Sequence, residues 1–285
     1  MGASFLITLR EGLEIALIMS ILLAYLNTIG RRDRHGSVWA GAGSAAAVSI
    51  AAGLIIFFSA ETLSHRAQET FEGVVSLLAV GVLTWMIFWM RRQARFIKGE
   101  LEQRVDVALA SSSTIALGTL AFFVVLREGL ETALFLFATF RAPTASSTAT
   151  ALLGAVLGLA VAGALGYLMY RGGIRLNLRT FFKVTGALVL LVAAGLLASG
   201  IHELQEVGWL PFGTGTAFDV RGVIPDSGPG LPLRALFGYN ADPTWLEFLS
   251  WAGYLLAVGF FYFRPQPRPA PARAVQPVKA AGSRP

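Results

Sequence analysis

The sequence predicts an all-α integral membrane protein. Seven transmembrane helices are expected, as a 3+3 inverted repeat plus one extra helix, with the N-terminus outside and the C-terminus cytoplasmic. Three observations carry this. Hydrophobic residues make up 55% of the 285 and charged residues only 14%, where a soluble domain carries about 25% charged residues. Apolar runs of about 20 residues, enough to cross a bilayer, recur along the chain. One charged pentapeptide, REGLE, occurs twice inside such runs, at 10–14 and 127–131.

The first span, about 4–30, holds the first REGLE. No basic stretch precedes it, and Arg10 lies within it, so a retained span is expected rather than a cleaved signal peptide. Spans two and three follow at about 37–60 and 70–90, and the fourth, about 113–140, holds the second REGLE. The fifth, about 147–170, carries Gly154-x-x-x-Gly158-x-x-x-Ala162, a stripe suited to close helix contact. The sixth and seventh cover about 181–203 and 244–263. All are too long and too evenly apolar for barrel strands, which alternate with period two. Trp39, Trp85 and Trp89 read as an aromatic belt at the inner interface. Residues 1–263 thus form one membrane domain, with an outer loop at 208–243 that holds Asp219, Asp226 and Asp242. The basic, Pro-rich tail 264–285 is expected to be disordered near anionic lipid, with no catalytic role.

Orientation follows from the basic residues flanking the spans. Arg31, Arg32 and Arg34 follow span one; Arg91, Arg92, Arg95, Lys98 and Arg104 follow span three. Arg171, Arg175, Arg179 and Lys183 follow span five, and five more lie in the tail. The opposite side has only Arg66, Arg141, Arg221 and Arg234. The N-terminus is therefore expected outside. Spans one and four then run in opposite directions, so spans 1–3 and 4–6 read as inverted halves, with span seven added. In secondary transporters built this way the substrate site lies at the repeat interface near mid-depth. Glu14 and Glu131 each lie about 15 Å from the outer end of their span, near the middle of a core about 30 Å thick.

Function classes narrow quickly. The net charge of +6 does not mark a nucleic-acid binder, because the basic residues sit at span ends and form no patch interleaved with aromatics. There is no cysteine, so disulfides, thiolate metal ligands and c-type haem attachment are excluded. Any metal must be held by oxygen or by the three histidines.

Helical spacing puts Arg10, Glu11 and Glu14 on one arc of about 100°, and Arg127, Glu128 and Glu131 on another. Each midspan charge costs roughly 2.5–3.5 kcal/mol, so six cost roughly 15–20 kcal/mol before pairing. Arg10 can pair with Glu14 and Arg127 with Glu131, leaving one carboxylate over in each motif. Four carboxylates against two guanidiniums leave a balance that a cation or protons must fill, so metal entry is expected to expel protons. Arg–Glu pairs can merely pin helices, but two copies in opposed spans favour a site. Gly12 and Gly129 would let a helix or a ligand approach closely. The all-oxygen donor set favours hard cations, and spacing does not choose among iron, manganese, magnesium and calcium.

More acids cluster at the outer span ends. Glu69 and Glu72 open span three, while His202, Glu203 and Glu206 close span six. These helically spaced groups either collect a cation, with Glu72 and His202 nearest the apolar runs, or are solvated helix ends. His35 and His65 read as ordinary loop residues.

The strings TLREGLEIALI, FEGVVSLLAVGVLTWMIFWMRR, VVLREGLETALFLF and GIHELQEVGWLP resemble the oxidase-dependent iron permease family, which includes the fungal high-affinity iron permease and bacterial EfeU-type iron transporters. The likeness extends to about residue 263 and favours the bacterial branch. It implies iron uptake across the cytoplasmic membrane, with iron as substrate and no prosthetic group. Arg10, Glu11, Glu14, Arg127, Glu128 and Glu131 map onto the family's iron pathway. It also implies a separate periplasmic or extracellular oxidase or iron-delivery partner, and leaves open iron(II) or iron(III). The competing readings are an intramembrane di-iron carboxylate oxidase, a structural membrane subunit, and a transporter of another hard divalent cation. The oxidase would want two Glu-x-x-His pairs, and no histidine lies mid-span.

Overall fold

In a computed structural model of the chain, the structure describes residues 1–62, 64–93, 114–141, 148–172, 178–223 and 238–264, with residues 99, 103, 105–107 and 233. Among the described residues there are seven long α-helices and no strand. They are α1 (Gly2–Thr28), α2 (His35–Glu61), α3 (His65–Gln93), α4 (Thr114–Arg141), α5 (Thr148–Tyr170), α6 (Leu178–Glu206) and α7 (Trp245–Phe263). The tail 265–285, Arg95, Lys98, Arg104, Arg175 and the loop segments 224–232 and 234–237, with Asp226 and Arg234, lie outside the described residues.

Each helix coincides with an apolar run, and the differences fall at polar ends. Helix α3 begins at His65 rather than near 70, and α6 continues through Glu206 rather than stopping at 203. The added residues, HRAQE and LQE, are rich in good helix formers that hydropathy alone does not count. Helix α7 starts at a threonine N-cap: the Thr244 hydroxyl accepts a hydrogen bond from the Glu247 amide at 3.2 Å. By length and composition, five helices can cross a membrane: those over Arg32–Ala60, His65–Met90, Thr148–Tyr170, Thr180–Glu206 and Trp245–Phe263. The other two, α1 and α4, are as long and carry the REGLE charges.

Packing pairs helices across the two halves of the chain. Helix α1 lies along α5, α2 along α4, and α3 along α6; α7 packs outside α6, and α1 crosses α4. The small-residue stripe does what its spacing predicts. A side chain at Gly158 would strike Thr8 and the Phe5 backbone, and one at Gly154 would strike the Met1 backbone. The room left there lets the Thr8 hydroxyl donate to the Ala155 carbonyl at 2.9 Å. On the other side Gly41 of α2 meets the backbone of Gly118 of α4. Helix α6 is the enclosed centre, with 72% of its apolar stretch buried against 17% for α7. Ile50, Ile55 and Phe58 on α2, Leu152, Leu153 and Val156 on α5, and Leu256, Phe260 and Phe261 on α7 all face outward. So much exposed apolar surface suits lipid rather than water.

Candidate metal centre

The α1–α4 crossing brings the two REGLE motifs together. One carboxylate oxygen each from Glu11, Glu128 and Glu131 lie within 4.8 Å of one another. A single ion could span all three. Glu11 and Glu128 are buried, and Glu131 is partly buried. The Oε2 atom of each is enclosed and has no hydrogen-bond partner among the described residues. Buried polar atoms without partners are costly and call for an explanation; an ion-binding role supplies one.

The two arginines are held differently. Arg10 is sealed, its side chain 2% exposed. Its Nη1 pairs with Glu11 Oε1 at 2.8 Å and lies 3.2 Å from the Met86 sulfur, and its Nη2 pairs with Glu14 Oε1 at 3.0 Å. Arg127 pairs through Nε with Glu131 Oε1 at 3.0 Å and is 39% exposed. Its guanidinium lies 4.7 Å from the centre of the Trp89 ring and 5.9 Å from that of Trp85. The two indoles stack at 6.0 Å with 22° between their planes.

Sequence expectations need adjusting here. One carboxylate was expected to be left over in each motif; this holds for Glu128 but not in α1. The two ends of the Arg10 guanidinium reach the i+1 and i+4 carboxylates together. Glu14 therefore stands beside the three-oxygen group as the Arg10 partner. The space at Gly12 and Gly129 is taken by helices: a methyl at Gly12 would meet Ala162 of α5, and one at Gly129 would meet Ser49 of α2. Trp85 and Trp89 are more than a belt, since their faces hold a motif arginine.

The acids expected at the outer span ends regroup across helices. Glu72 and Glu203 are both buried where α3 crosses α6, at the close contact between Gly73 and Glu203. Glu72 accepts from the Gln68 amide at 2.8 Å and lies 3.6 Å from Arg141 Nη1. Glu69 pairs with His65 at 3.0 Å. His202 turns to α7: its Nδ1 lies 2.9 Å from Glu247 Oε1, and its Nε2 lies 3.4 Å from Glu206. Glu247 is 2% exposed and also accepts from Asn240 at 3.1 Å. Among the described residues Glu72, His202, Glu203 and Glu206 do not converge on one ion-sized point. Sequence reasoning missed Glu247. Its one local signal was the T-x-x-E spacing of a capping box, which would turn its carboxylate back to the Thr244 amide, whereas the structure gives that carboxylate to His202 and Asn240.

Residues 1–264 match the Iron permease FTR1 family. The chain belongs to that family. Ferrous iron permease EfeU of Escherichia coli and of Shigella sonnei are each 42% identical to it over 259 residues, covering 90% of this chain and 93% of theirs. Ferrous iron permease EfeU of Yersinia pestis is 39% identical over 268 residues, covering 93% of this chain and 94% of that one. These FTR1 relatives are named as permeases, which are transporters rather than enzymes, so the comparison runs against the oxidase reading. No solved structure matches the chain.

Proposed function

We propose that the chain imports ferrous iron across the cytoplasmic membrane, through the carboxylates of the two REGLE motifs and in exchange for protons. The observation that carries this is the three-oxygen group of Glu11, Glu128 and Glu131, drawn from two helices and within 4.8 Å. The choice of ion rests on the relatives, which are named ferrous iron permeases. Charge balance supports the exchange. The six motif residues sum to a net charge of −2 when all are ionised, so a divalent ion offsets what protons otherwise offset.

Helix packing supports the inverted-repeat reading. Exchanging α1–α3 with α4–α6 turns the α1/α5 pair into the α4/α2 pair, and maps α3/α6 and α1/α4 onto themselves. The metal group then lies at the interface of the halves, where such transporters bind their substrate. Glu72 and Glu203, side by side at the α3–α6 crossing, form the outer approach, with His202 and Glu206 at its rim. A separate oxidase or iron-delivery protein outside would set the form in which iron arrives.

The test is radioactive iron uptake into proteoliposomes carrying an internal pH dye, with iron(II) and iron(III) offered separately. Native protein is expected to accumulate iron(II) and to change the internal pH as it does so. Glu14→Gln and Glu131→Gln keep shape, remove charge and are expected to lower uptake. Variants that transport as well as native protein would make the glutamates structural. Uptake at an unchanged internal pH would remove the proton exchange.

A further inference from the structure

We infer that the stacked indoles of Trp85 and Trp89 are a holding station for the Arg127 guanidinium when a metal ion takes Glu131 from it, and that Trp89 thereby helps set metal affinity. This rests on the proposed metal group. An ion that recruits Glu131 must compete with Arg127, whose Nε is 3.0 Å from Glu131 Oε1. Arg10 cannot yield in the same way, because it is buried and pairs with two carboxylates of its own helix. Arg127 is held more loosely. One carboxylate pairs with it, its buried Nη2 has no hydrogen-bond partner, and the rest of its grip is aromatic.

An indole face suits this task for two reasons. It attracts a cation through its quadrupole, and it has no oxygen that could compete for the metal. The attraction is also greater for an unpaired guanidinium than for one whose charge a carboxylate already neutralises. The platform therefore stabilises the metal-loaded state more than the empty one, as any effect on affinity requires. Trp89, at 4.7 Å, is the principal ring, and Trp85, at 5.9 Å, backs it. Trp89 is a positioning residue: it acts on the metal through Arg127.

The experiment is equilibrium binding of radioactive iron(II) to the purified full-length protein under reducing conditions, paired with uptake kinetics in proteoliposomes. Trp89→Leu keeps an apolar side chain and removes the ring face. It is expected to raise Kd and KM for iron(II) by about three- to tenfold, with KM carrying more of the change than kcat. Trp89→Phe is expected to recover most of the loss. In an Arg127→Gln background the Trp89→Leu effect is expected to vanish. Native-like iron(II) binding by Trp89→Leu overturns the station and leaves the metal group standing. An equal effect with and without Arg127 reduces Trp89 to packing and also overturns it. If native protein and Glu131→Gln bind iron(II) equally, the metal group itself falls, and the station with it.

Discussion

Arg10 and Arg127 hold the same place in the same pentapeptide. Arg10 is enclosed between Glu11, Glu14 and the Met86 sulfur; Arg127 is partly open, with one carboxylate and two indole faces. The difference comes from α3, which presents methionine to one copy and tryptophans to the other. A repeated motif fixes which groups are available. The neighbouring helix decides which of them is fixed and which can move. In the proposed site the α1 copy anchors, and the α4 copy supplies the free carboxylate and the yielding arginine.

Substituting the two arginines tests that contrast most severely. Arg10→Met strands two buried carboxylates and is expected to cost about 3–5 kcal/mol of stability, whereas Arg127→Met leaves a single partly buried carboxylate and is expected to cost clearly less. Thermal unfolding in detergent measures both, and equal losses would end the distinction between anchor and mobile partner. Next come the glutamates. Glu128→Gln removes a member of the three-oxygen group and is expected to lower iron(II) uptake by about 100-fold or more, beyond the range typical of residues behind a ligand. Glu14→Gln, one step removed on Arg10, is expected to lower it by about tenfold. A Glu14 loss as large as that of Glu128 would place Glu14 among the ligands.

The glycines are where the copies should agree. A methyl at Gly12 would sit 2.8 Å from the Ala162 Cβ, and one at Gly129 would sit 2.7 Å from the Ser49 Cβ. Gly12→Ala and Gly129→Ala are each expected to cost about 1–3 kcal/mol, read in the same unfolding assay. Unequal costs would mean that the halves pack less alike than their pairing implies. The smallest effect lies outside the bundle. Hydrogen bonds from the Arg221 side chain and backbone hold the Asp219 carboxyl at about 2, below its ordinary 3.8. A depressed folded-state value adds stability above the unfolded value, which is lost as pH falls toward 2. Asp219→Asn is therefore expected to flatten only the acid limb of a stability–pH curve, leaving the neutral region unchanged. A change at neutral pH would assign the loop a larger role.

Much of this was legible in the sequence. Span length and apolarity located the seven long helices among the described residues, five of which are long and apolar enough to cross a membrane. Helical spacing paired Arg10 with Glu14 and Arg127 with Glu131. The outer clusters were visible as patterns, but which members would meet was not. Glu72 and Glu203 come together only because α3 packs along α6, and His202 turns away from both because α7 brings Glu247 to it. The stacking of Arg127 on Trp89 likewise depends on a contact between helices that no local pattern encodes.

The pairing of α1 with α5 also has a consequence for biogenesis. On the proposed topology α1 enters the bilayer carrying three charges, and its main neighbour is made only after three more helices have been synthesised. Until then α1 must sit in the bilayer without that neighbour. The contacts of Arg10 with Glu11 and Glu14 lie entirely within that one helix, so it carries its own counter-ion into the membrane. The same contacts that hold the anchor arginine in the finished protein thus keep the nascent span insertable while it waits.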